Sequence, residues 1–149
     1  MKLTILCYDK CSTCKKALNW LDEKGISYEK RPIKEQNPSK EELAVWHKKS
    51  GLPLKRFFNT SGNLYKELGL KDKLPQMTEE EQLELLASDG MLVKRPLAVT
   101  DQWAFPGFRE KEWEDRSGRL SCKMIQGFKT ISHFFPFCQQ FIQNLSIGF

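Results

Sequence analysis

Nowhere in this chain of 149 residues does an apolar run approach the roughly 20 residues that span a bilayer. The opening MKLTILCYDK has only a short apolar stretch, which stops at Asp9 and Lys10 without a small-residue cleavage site. No secretory leader is expected, and the expected compartment is the cytoplasm. The sequence also has no Gly-rich phosphate loop, nucleophile elbow or paired-carboxylate pattern, which leaves a kinase, a hydrolase or a glycosidase without support. Histidine is nearly absent, with only His47 and His133. His47, in a helical pattern beside Lys48 and Lys49, reads as a solvated surface residue. Cys122, His133 and Cys138 lie at spacings that match no usual zinc pattern, so no metal is expected. Five cysteines, an odd number in a chain without an export signal, argue against a structural disulfide framework and for redox or nucleophilic use.

Charge of one sign is likewise too weak to define a partner. The formal net charge is +5, of which +3 comes from Arg119, Lys123 and Lys129 in a stretch after Arg116 that has no carboxylate. The remainder is close to neutral, so neither direct nucleic-acid binding nor a membrane surface is expected. With 40% hydrophobic and 29% charged residues the composition is that of a folded globular chain, long enough for a single core.

Lys2 to Tyr8 is a short run of strand formers, and the helical pattern after it places Cys14, Ala17, Leu18 and Leu21 on one face before Gly25 stops it. Ile26 to Ile33 predicts a second strand, parallel to the first after one crossover helix. Ser39 and Glu42 form a capping box for a helix with Leu43 and Trp46 as core candidates and Gly51 as terminator. A polar turn at Asn59-Thr60-Ser61-Gly62 precedes a helical patch with Leu64, Tyr65 and Leu68. Thr78 and Glu81 repeat the capping box for a helix carrying Leu83, Leu86 and Ala87, ended at Asp89-Gly90. Met91 to Phe108 is strand-like, with Asp101-Gln102 as the hairpin tip, and a brief helix is expected over Glu110 to Arg116. Four strands and several helices predict an α/β fold with a mixed sheet. Residues 1–116 are assigned to this domain, and 117–149 to a C-terminal extension of unknown structure.

The strongest chemical signal is Cys11-Ser12-Thr13-Cys14, a C-x-x-C between a strand and a helix. Free backbone N–H groups at the helix start, with Lys10 and Lys15 nearby, favour a thiolate at Cys11 and a pKa below that of free cysteine. Cys11 is thus the expected nucleophile. Cys14, one turn on and shielded on the core face, is the expected resolving thiol. Cys7, in mid-strand, reads as a small core residue. In Lys94-Arg95-Pro96 the proline removes a ladder donor and invites a cis bond or a sheet edge, and the arginine suits an oxyanion.

Cys11-Ser12-Thr13-Cys14-Lys15-Lys16-Ala17 and Leu92-Val93-Lys94-Arg95-Pro96-Leu97 resemble the arsenate reductase and Spx superfamily. Phe57 to Gly62, Tyr65 to Leu70 and Leu85 to Met91 are similar to its less-characterised C-x-x-C branch. The resemblance covers about residues 1–116 and implies a thioredoxin-like fold, a mixed four-stranded sheet flanked by helices, with a helical insertion. It also implies that the first motif cysteine is the nucleophile and that a cis Arg95-Pro96 bond faces it. The arsenate reductases of this superfamily cradle their oxyanion with three arginines. Arg95 matches one, Asn59 stands where the second would fall, and Gly107 or Phe108 where the third would. Ser12, Thr13, Asn59 and Arg95 are the implied substrate or anion positions. The C-x-x-C and its helix start rank a thiol–disulfide oxidoreductase first, with glutathione, glutaredoxin or thioredoxin as reductant and no bound cofactor. A Spx-like switch that binds the RNA polymerase α-subunit comes second, and glutaredoxin-coupled arsenate reduction third.

Overall fold

Two capping boxes set the helical frame of the molecule. In each, the Ser39 or Thr78 hydroxyl accepts from the N–H three residues on, and the Glu42 or Glu81 carboxylate accepts in return from the backbone N–H of the cap. The computed structural model describes residues 2–116; the extension at 117–149 lies outside them. In chain order the elements are β1 (Thr4–Cys7), α1 (Ser12–Glu23), β2 (Glu29–Pro32), α2 (Lys40–Ser50), α3 (Asn63–Glu67), α4 (Leu70–Lys73), α5 (Glu79–Ser88), β3 (Leu97–Val99) and β4 (Ala104–Pro106). A last helix runs over 110–116.

The sheet is mixed and its strand order is β2-β1-β3-β4. β1 and β2 are parallel across α1, whereas β3 pairs antiparallel with both β1 and β4. This is the α/β arrangement expected, with α2 to α5 inserted between β2 and β3. The second strand is shorter than Ile26 to Ile33, because the Ile26 N–H is bonded to the Leu21 carbonyl (2.9 Å) and closes α1 around Gly25, which has φ 65°. The segment from Met91 is not strand throughout either. The Asp89 carboxylate accepts from the Met91 N–H (2.7 Å) and holds Gly90–Leu92 in a 3-10 turn, so β3 starts only after Pro96. Asp101 and Gln102 do form the exposed hairpin tip, and the buried Thr100 hydroxyl accepts from the Gln102 and Trp103 N–H groups.

Strand alternation divides the core between the two faces of the sheet. Leu3, Ile5, Cys7, Ala98 and Phe105 pack with Cys14, Ala17, Trp20 and Leu21 of α1 and with Trp113. Leu6, Leu97, Val99 and Ala104 face the other way, into the inserted helices and Leu43, Trp46, Leu83 and Leu86. Phe108, Trp113 and Trp20 form a set of edge-to-face rings, with Phe108 and Trp113 4.9 Å apart, and the Trp113 indole donates to the Gly107 carbonyl. Leu18, which the hydrophobic pattern places on the core face of α1, is half-buried at the margin of this face.

His47 corrects the sequence expectation. It is only partly exposed: its ring meets Phe57 edge-on at 5.9 Å, and its Nδ1 lies 3.3 Å from a Glu79 carboxylate oxygen. Replacing Thr78 with alanine should cost about 1 kcal/mol, the usual worth of an N-cap hydroxyl. Urea unfolding checks this: the midpoint falls while the slope is unchanged.

Candidate active site

β1 delivers the chain to the start of α1, and a bond from the Cys11 N–H to the Tyr8 carbonyl (3.0 Å) tightens the turn between them. Cys11 takes the N-cap position with extended backbone (φ −89°, ψ 117°), and its side chain caps no N–H. It is half-buried and a free thiol, whereas Cys14, one helical turn on, is buried. Because Cys7 is on the sheet face that packs on α1, Cys14 is buried in one cluster with Cys7, and Cys11 packs against that cluster. The Cys7 thiol alongside it, together with burial, pushes the Cys14 thiol well above its ordinary pKa. Of the two motif cysteines, then, one is open and the other is held protonated.

A cleft of about 600 Å³ opens over Cys11, lined also by Thr13, Asn59, Met91, Lys94 and Arg95. Two backbone bonds join the segments that form its far wall, from the Asn59 N–H to the Leu92 carbonyl (2.7 Å) and from the Lys94 N–H to the Phe57 carbonyl (2.6 Å). The Asn59 amide nitrogen points to the Met91 carbonyl at 3.5 Å. The Arg95-Pro96 bond is cis, Pro96 is buried, and its carbonyl accepts from the Gly107 N–H (2.8 Å). The Arg95 guanidinium lies over the Tyr8 ring, 5.1 Å from its centre, and donates to the Met91 sulfur.

The structure thus brings Cys11, Thr13, Asn59 and Arg95 to one cleft, with Cys14 beneath. Ser12 is exposed on the first turn of α1 and lines neither this cleft nor its neighbour. A second cleft of about 470 Å³ shares Thr13 and Lys94 with the first and is lined by Lys55, Arg56, Gly107 and Arg109. Phe108 borders that second cleft, while its ring packs on Trp20 and Trp113. Sequence reasoning passes over Tyr8 and Met91, which hold Arg95, and the contact of Cys7 with Cys14. The phase of β1 relative to the C-x-x-C is the signal that places Cys7 under Cys14. Among the described residues no group of three His, Cys, Asp or Glu side chains stands together to hold a metal ion, and no helix is long and apolar enough to cross a membrane. Cys122, His133 and Cys138 lie outside the described residues.

Residues 6–116 match the ArsC family. The chain is 56% identical over 115 residues to YusI of Bacillus subtilis (strain 168), itself uncharacterised, covering 77% of this chain and 98% of that protein. The regulatory protein MgsR of the same organism is 28% identical over 111 residues, 74% of this chain and 86% of that one. The crystal structure of an ArsC family related protein from Bacteroides fragilis superposes with a TM-score of 0.75 at 56% identity, covering 77% of this chain and 97% of that one.

Proposed function

This chain belongs to the ArsC family, and from that premise we propose that it is a thiol–disulfide oxidoreductase working through Cys11 and Cys14. One observation carries the proposal: Cys14 lies buried one helical turn on from Cys11, and of the two only Cys11 opens to the cleft. In the first step the Cys11 thiolate attacks a sulfur of the substrate disulfide. The substrate S–S bond breaks, one substrate thiolate leaves, and the other half is joined to Cys11. Cys14 then gives up its proton and attacks the Cys11 sulfur, expelling the second thiol and closing a Cys11–Cys14 disulfide. The substrate has gained two electrons and the protein has lost them. A thiol reductant of the glutathione, glutaredoxin or thioredoxin class returns the pair to the dithiol, as a cytoplasmic reductant pool would.

The order of attack follows from burial. A half-exposed thiol at a helix start reacts, whereas a buried one kept neutral by its neighbours waits until a sulfur is presented to it. Peptide mapping by mass spectrometry tests the proposal directly. After one equivalent of a small disulfide, the wild-type protein should carry a Cys11–Cys14 bond, and Cys14→Ser should stop at a mixed disulfide on Cys11. Modification confined to Cys122 or Cys138, with Cys11 and Cys14 still free, would overturn it.

A second reading, a Spx-like switch in which the same disulfide alters affinity for the RNA polymerase α-subunit, is favoured by the similarity to a regulatory protein. Recovery of no polymerase subunit by the immobilised protein in either redox state would exclude it. Arsenate reduction ranks behind both, because Asn59 and Phe108 supply no guanidinium beside Arg95.

A further inference from the structure

We propose that the substrate of this dithiol is a short peptide disulfide carrying carboxylates, and that the cleft bordered by Lys55, Arg56, Lys94 and Arg109 receives those carboxylates. The proposal rests on the oxidoreductase reading above and names its substrate class. The two clefts share a wall, since Thr13 and Lys94 line both. A ligand whose sulfur sits at Cys11 therefore has its flanking groups next to the second cleft. At about 470 Å³ that cleft is in the range that holds small ligands.

Its walls contain no carboxylate side chain among the described residues. Among the described residues, Lys55, Arg56 and Lys94 stand in no ion pair, whereas Lys2, Lys24, Lys30, Arg31 and Lys40 are each matched with a glutamate or aspartate. Arg109 alone of the four has an acidic neighbour, Glu112 at 2.9 Å. Unmatched cations gathered at one cleft attract anionic substrates, and walls of low dielectric strengthen the field. The Cys11 cleft itself is mixed in charge. Arg95 faces it with no carboxylate partner among the described residues, and it also holds Glu67 and Asp89, the latter already bonded to the Met91 N–H.

The placement follows from the local fold. The turn Leu54–Phe57 buries Leu54 and Phe57, so Lys55 and Arg56 between them must face outward, and both are exposed. The bond from the Lys94 N–H to the Phe57 carbonyl ties that turn to the strand end bearing Lys94 and Arg95. Gly107, with φ 88°, turns the chain beside the Lys94 stem. The cations are thus anchored through buried neighbours and a backbone bond rather than scattered along a mobile surface.

The test uses the full-length reduced protein and three short cysteine peptides, flanked by glutamate, glutamine or lysine, each as a pyridyl mixed disulfide. Cys11 attacks the peptide sulfur, the bond to the pyridyl sulfur breaks, and pyridinethione leaves and is read by absorbance. Cys14 then attacks Cys11, expels the peptide thiol and closes the disulfide, so one turnover needs no other reductant. Each rate is divided by that of mercaptoethanol with the same peptide, which removes intrinsic reactivity. The glutamate peptide should react roughly tenfold faster than the glutamine peptide at low ionic strength, with lysine slowest, and added salt should narrow the spread. The double variant Lys55→Gln/Arg56→Gln should bring the glutamate-to-glutamine ratio near one. Lys48→Gln/Lys49→Gln, which removes the same charge on α2, should keep it. Equal wild-type rates with glutamate and glutamine peptides, or equal collapse in both double variants, would overturn the assignment of this cleft. Absence of pyridinethione release from every peptide would instead defeat the oxidoreductase reading beneath it.

Discussion

Cys11→Ser is expected to abolish disulfide turnover while leaving the protein at least as stable as before. A serine hydroxyl is not ionised at neutral pH, and an oxygen at this position cannot form the mixed disulfide, so the rate should fall on the order of 10³-fold or more, equivalent to at least about 4 kcal/mol in the barrier. Cys14 cannot take over. It is buried, and the Cys7 thiol and its burial hold it protonated. The fold, by contrast, should tolerate the change. Cys11 is the N-cap of α1 and its side chain makes no capping bond. Serine is among the preferred N-cap residues and should bond an unpaired N–H of the first turn, adding a few tenths to about 1 kcal/mol. Thermal unfolding with pyridinethione release on the same sample separates the two effects. Retained turnover in Cys11→Ser would remove Cys11 from the chemistry, and lost activity with a lowered melting temperature would show only damage to the fold.

What could be read along the chain was what neighbouring residues decide among themselves. Ser39 with Glu42 and Thr78 with Glu81 form their caps within one turn, and both helices begin where the pattern puts them. Cys11 and Cys14 were legible for the same reason, since strand, turn and helix follow one another directly. Contacts between distant segments were not. His47 has the sequence context of a surface residue and is partly covered by Phe57 and Glu79, which arrive from other turns. Tyr8 under Arg95 and Cys7 against Cys14 depend on how β1 is phased against β3 and α1. Lys55 and Arg56 carry no motif at all. They become a feature only because the Phe57 carbonyl meets the Lys94 N–H.

Gly90→Ala should be the most destabilising of the single-methyl additions in the described chain, costing about 3 kcal/mol or more. Gly90 does not have a positive φ, so the demand for glycine here is one of space. A Cβ built on it would overlap the Ile33 carbonyl oxygen, and would lie 2.9 Å from the Ile33 carbonyl carbon and 3.1 Å from the Asn37 Cβ. Those are mostly backbone atoms. Ile33 is fully buried and its N–H is bonded to the Cys7 carbonyl at 2.9 Å, while the Asn37 amide donates to the Ala87 carbonyl at 2.6 Å, so neither side can readily give way. Gly25→Ala is the opposite case. Its φ is 65° but none of the described residues stands within 4 Å of an added Cβ, so only backbone preference is lost, about 1 kcal/mol. Urea unfolding of the two variants should therefore rank Gly90→Ala well below Gly25→Ala, and the reverse order would refute the close approach. The strain of Gly90→Ala also has a functional direction. Gly90–Leu92 leads into Lys94 and Arg95, and the Leu92 carbonyl holds Asn59. Any folded fraction should then show an altered wall opposite Cys11, with slower reaction of the thiol with peptide disulfides and the N-terminus of α1 itself intact.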